Sequence, residues 1–111
     1  MTDLGSGNVV WMGRPPPGGS VDSVAPLEGS EDAIVILNRE ERREPIVRNL
    51  LRVRADGSVA WHAQLPSGSS PPDAYVDFDL QGERLFASTW SGYRTEIDLD
   101  TGEVKAAVFT K

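Results

Sequence analysis

Turn signals cut this chain into short pieces. Asp56-Gly57, Gln81-Gly82, Ser91-Gly92 and Thr101-Gly102 each separate two runs of strand-forming residues, and Pro66-Ser67-Gly68-Ser69-Ser70-Pro71-Pro72 divides the chain again. No helix of useful length fits between such breaks. With 11 Gly and 8 Pro among 111 residues, a helical bundle is excluded and an all-β architecture of many short strands is expected. The segments are Asn8 to Met12, Val21 to Leu27, Ala33 to Asn38, Val47 to Arg54, Ser58 to Leu65, Ala74 to Leu80, Arg84 to Thr89, Tyr93 to Leu99 and Glu103 to Thr110. Only Arg39-Glu40-Glu41-Arg42-Arg43-Glu44 has helical character, and since Pro45 stops it, it reads as a solvated hairpin loop.

Alternation assigns the faces. Ala74, Val76, Phe78 and Leu80 alternate with Tyr75, Asp77 and Asp79, while Tyr93, Thr95, Ile97 and Leu99 alternate with Arg94, Glu96 and Asp98. Both strands are therefore half buried. Ala33-Ile34-Val35-Ile36-Leu37 is apolar throughout and needs cover on both sides, which requires two packed sheets or a sheet covered by a second chain. Ile34, Val35, Ile36, Phe78, Phe86, Ile97 and Trp61 are expected in or near one core. With 39% hydrophobic residues, one domain spanning residues 1 to 111 has material for a single core.

A repeat refines the architecture. Gly7-Asn8-Val9-Val10-Trp11 returns as Gly57-Ser58-Val59-Ala60-Trp61 and, more weakly, as Gly102-Glu103-Val104-Lys105-Ala106, at spacings of 50 and 45 residues. Four strands per period of this length describe a propeller blade. Two four-stranded antiparallel units follow, about 20 to 65 and 73 to 110, preceded by the strand 8 to 12. Asn49-Leu50-Leu51-Arg52-Val53-Arg54-Ala55-Asp56-Gly57-Ser58-Val59-Ala60-Trp61 resembles the strand, Asp-Gly turn, strand and Trp of PQQ-like propeller repeats, the blade type of quinoprotein dehydrogenases. The stretch Leu85 to Val104, with its Asp100-Thr101-Gly102 turn, resembles the same unit. The resemblance implies blade geometry and no particular activity. Two blades cannot close a ring, so they pack as a sandwich or join those of other chains in an oligomeric propeller. No quinone cofactor is implied, because the family seats it in the axis of a full ring, often beside a vicinal disulfide, and this chain has no Cys.

Chemical motifs are sparse. Asp98, Asp100, Gly102 and Glu103 lack the spacing of a calcium loop and read as turn residues bonding nearby N–H groups, so no metal is expected. Asp77 and Asp79 share a strand face and could act as a carboxylate pair, but solvent-facing alternation explains them without chemistry. His62 is the sole histidine and stands opposite the face of Val59, Trp61, Ala63 and Leu65, with no Gly-x-Ser-x-Gly nucleophile elbow in the chain. Gly5-Ser6-Gly7 and Gly18-Gly19 lack the strand, helix and Lys of a phosphate loop. A net charge of −6 opposes nucleic acid, and the absence of cysteines, signal-like runs and membrane-length apolar runs points to a cytoplasmic protein without membrane contact.

Aromatic residues are the best site candidates. Trp90, Tyr93 and Arg94 surround one tight turn, where they either contact a partner or, for the two rings, cap the core; Trp11 and Trp61 read as core. The function expected is a non-catalytic protein-binding module, an acidic antagonist or immunity-type protein, able to self-associate into a homo-oligomer. The alternatives are a lectin-like assembly of blades and a small hydrolase using His62 or the Asp77 and Asp79 pair.

Overall fold

The structure, a computed structural model, describes residues 2–3, 10–11, 13–14, 21–38, 46–67 and 73–110. The loop 39–45 and the glycine segments 5–7 and 18–19 lie outside them, as do residues 8, 9 and 12 of the first expected strand and the side chain of Trp11. Among the described residues there is no helix. Two short strands, β1 (Thr2–Asp3) and β2 (Val10–Trp11), pair with each other antiparallel.

The first sheet is an antiparallel meander of β3 (Val21–Pro26), β4 (Ala33–Leu37), β6 (Leu50–Val53) and β7 (Val59–His62), in that order. The second is a meander of β8 (Asp73–Gln81), β9 (Arg84–Thr89), β10 (Tyr93–Ile97) and β11 (Val104–Phe109). The pair of residues β5 (Ile46–Val47) adds to the outside of β8 in parallel. The segment read from sequence as one strand, Val47 to Arg54, is thus split between the sheets. Asn49 makes the break: its Nδ2 donates to Leu37 O and Tyr75 O, and its Oδ1 accepts from Tyr75 N, so one buried amide ties β4 to β8 across the sheets. Gly57, Gly82, Gly92 and Gly102 all have positive φ, the left-handed conformation that the four expected turns demand.

Between the sheets Ile34, Ile36, Leu50, Trp61 and Ala63 meet Tyr75, Leu85, Ala87 and Ile97 in one core, with Phe78 partly buried against it. Val24, Ala33, Val35, Leu37, Leu51 and Val53 form a second buried cluster on the opposite face of the first sheet. The all-apolar β4 is therefore buried on both faces, as its composition requires. Val35 belongs to the second cluster, because alternation turns it away from Ile34 and Ile36.

At three places the structure departs from the faces expected from sequence. A β-bulge between Tyr75 and Asp77 shifts the register of β8, so Tyr75 enters the core and Val76, expected inside, is 40% exposed. A second irregularity, opposite Val59, places that residue on the other cluster while Trp61 and Ala63 face the sheet interface. Phe86 stands opposite Asp79 and Glu96 on the outward face of the second sheet, not in the core, with the guanidinium carbons of Arg84 and Arg94 lying 5.0 Å and 5.9 Å from its ring centre.

Candidate functional site

The turn between β9 and β10 is held by a buried carboxylate. Asp73 opens β8, and its Oδ1 accepts from Ala74 N and Ser91 N, both at 3.0 Å, while its Oδ2 accepts from Ser91 Oγ at 2.7 Å. Thr89 Oγ1 lies 3.1 Å from that hydroxyl and accepts from Tyr93 N at 3.0 Å. Trp90 N donates to Ala74 O at 2.9 Å, and Gly92 N donates to Thr89 O. The backbone from 89 to 93 is thereby fixed on both sides. Trp90, 52% exposed, lines a groove of about 470 Å³ together with Asp22, Ile36, Asn38, Asn49 and Val76. The exposed Val76 left by the β8 bulge faces the same groove.

The three residues expected as one site are dispersed over three surfaces. Trp90 lines the groove. Tyr93 turns to the other side and packs its ring against Phe109, with centroids 5.2 Å apart. Arg94 lies on the outward face, where Nη1 donates to Ser88 Oγ at 2.9 Å and approaches Asp77 Oδ1 at 3.4 Å. On that face Glu96 accepts from Arg84 Nη2 at 2.9 Å and Nε at 3.1 Å, with Lys105 Nζ 3.8 Å away. The hydrogen bonds from Arg84 hold the Glu96 carboxyl below its ordinary range.

The other chemical candidates resolve into structure. Asp98 Oδ1 accepts from Asp100 N and Thr101 N, and Thr101 Oγ1 accepts from Glu103 N, so these side chains bond their own turn. Beside them Glu28, Glu83, Glu96, Asp98 and Asp100 rim a depression of about 730 Å³. Among the described residues no group of three acidic, His or Cys side chains is placed to hold a metal. His62 is exposed, and its carbonyl accepts from Arg48 Nη2 at 2.6 Å. Asp77, half of the proposed carboxylate pair, is engaged by Arg94. No helix among the described residues is long and apolar enough to cross a membrane.

Asp73, Asn49 and Val76 escaped the sequence reading. An Asp after two prolines signals only a turn, and nothing local says that its carboxylate meets Ser91, 18 residues on. The profile of the family described as Domain of unknown function (DUF7957) matches residues 20–109, from the start of β3 to the end of β11. The chain belongs to that family. The matched span holds both sheets, the Asp73 clasp and the groove beneath Trp90. Neither the curated proteins nor the solved structures contain a match to the chain.

Proposed function

We propose that this chain is a non-catalytic protein-binding module that anchors a basic partner protein through Trp90. The observation that carries the reading is the combination, at one residue, of exposure with a fixed backbone: a tryptophan about half exposed stands on a turn clasped by Asp73, Ser91 and Thr89. Such an aromatic loses little conformational freedom on binding and desolvates a large area, which is what a binding anchor requires. Charge selects the partner. The chain carries −6, and Asp22 stands on the groove wall beside the indole, so a lysine or arginine of the partner would find both a carboxylate and an aromatic face. An antagonist of a basic protein is the role this surface fits best.

The test uses the wild-type chain and Trp90→Ala as matched baits for a cell extract, followed by calorimetry with the purified partner. Thermal stability of Trp90→Ala should be close to wild type, while affinity falls by about 30-fold, the equivalent of roughly 2 kcal/mol for a central aromatic anchor. Binding should also weaken with salt. Equal affinity in both proteins refutes the reading. A stability loss of about 3–5 kcal/mol, the cost of removing a buried large aromatic, would reassign Trp90 to the core.

A further inference from the structure

The outer edge of the second sheet is built without the usual protection. β11 lies at the end of its sheet, paired with β10 alone among the described strands, and every residue from Lys105 to Phe109 is exposed. Val108 is 63% exposed and Phe109 57%. The phase of the ladder shows which backbone groups point away. Thr110 N donates to Gly92 O at 2.8 Å, which marks residues 92 and 110 as a hydrogen-bonded pair in the register Tyr93 to Phe109. Antiparallel alternation then turns Arg94 and Val108, and Glu96 and Ala106, toward each other, and leaves the N–H and C=O of Ala107 and Phe109 directed outward. The bulge in this ladder falls before Ala106, so residues 106–109 form a regular edge.

The other edges differ. β3 carries Asp22, a register break and Pro26, and beyond β7 Gln64 N is occupied by Gly102 O. These are devices that keep an edge from pairing. β11 has Lys105, drawn aside toward Glu96, and the bulge before Ala106, and neither interrupts residues 106–109.

We propose that β11 pairs antiparallel with β11 of a second copy of this chain, about a two-fold axis at Ala107, joining two sheets into one. Self-pairing suits this strand on two grounds. Two chains of −6 each repel, yet residues 106–109 are uncharged, and the two Lys105 residues would stand roughly 14 Å apart along the ladder, beyond the screening length of about 10 Å in 0.1 M salt. An alanine at the axis also sets neither bulk nor charge against its own copy, while Val108 and Phe109 of each copy gain cover. None of the residues lining the Trp90 groove takes part.

Sedimentation of the whole chain, compared with Ala107→Glu, Ala107→Lys and their equimolar mixture, tests the pairing. Wild type should sediment at micromolar concentration as a species of twice the 12.1 kDa monomer. Each charged variant should be monomeric, since like charges meet at the axis, and the mixture should recover the dimer because Glu then faces Lys. All three should keep the wild-type circular dichroism. Should a charged variant lose its fold, Ala107→Pro serves in its place: it removes only the outward N–H and should also be monomeric. A monomeric wild type overturns the proposal. So does a dimer that persists in a folded Ala107→Lys or Ala107→Pro, which would locate the contact elsewhere.

Discussion

Trp61 shows how one residue joins two sheets. Its Nε1 donates to Leu99 O at 2.8 Å, and the ring lies so close to the β10–β11 turn that a Cβ on Gly102 would stand 2.8 Å from Cδ2. Gly102 also has φ +78°. Gly102→Ala therefore meets both backbone strain, about 1–2 kcal/mol for a left-handed residue, and a ring that cannot withdraw without losing core contacts. Gly82→Ala, at φ +61° with open space around the added methyl, is the control and should cost only the backbone component. Urea denaturation of the two variants should separate them by at least 1 kcal/mol; equal losses would mean that the indole gives way. The sequence placed Trp61 in the core through its repeat, but the fit to a glycine 41 positions away has no local signal. Tyr75 yields a second forecast. Burial pushes its phenol up to about 12, and its hydroxyl donates to Gln64 O. Because the folded form keeps the proton that the unfolded chain loses near pH 10, stability should be intact below pH 10 and fall by roughly 2–3 kcal/mol as pH rises to about 12. Tyr75→Phe should abolish that component of the alkaline slope; a slope unchanged in the variant would assign it to other groups.

At the scale of the strand, alternation gave the faces of β10 correctly and the unbroken apolar run gave the double burial of β4, because both strands pair regularly with β9 and β6. Alternation failed where a bulge inserts a residue. Nothing in Ala74-Tyr75-Val76-Asp77 tells a bulge from continuous pairing, since the extra residue is set by the partner strand and by the Asn49 bonds to Tyr75. The consequence can be measured by replacing two valines with threonine, which keeps the shape and adds a hydroxyl. Val76→Thr should alter stability by no more than about 0.5 kcal/mol, as exposed positions do, whereas Val35→Thr, with no solvent to satisfy the hydroxyl, should cost about 1–3 kcal/mol. Comparable losses at both positions would return Val76 to the core. Phe86 was missed for a different reason. Its strand carries apolar residues on both faces, and only the arrival of Arg84 and Arg94 from either side makes the outward position a tolerable one for a ring.

For the whole molecule, the two four-stranded units that the repeat suggested exist as separate sheets, and although the first also buries a cluster on its far side, each needs the other to cover the face they share. Ile34, Ile36 and Leu50 on one side, and Tyr75, Leu85 and Ile97 on the other, bury their shared face only when the sheets are together. The ties across the interface are also mutual: Asn49 reaches Tyr75, Arg52 Nη1 donates to Leu99 O at 2.9 Å, and Trp61 sits on the Gly102 turn. Separating the sheets would expose that apolar face and give up the two Asn49 bonds to Tyr75, each worth about 0.5–1.5 kcal/mol net against water. A state with one sheet folded alone should therefore be too unstable to populate. The double variant Trp11→Phe, Trp90→Phe leaves Trp61 as the only indole, so its fluorescence reports on the interface while far-UV circular dichroism reports on all strands. In denaturant the two signals should change together, with one midpoint and one slope. Fluorescence that changes at lower denaturant than dichroism would show that the sheets part before they melt, and that each four-stranded unit holds together without the other.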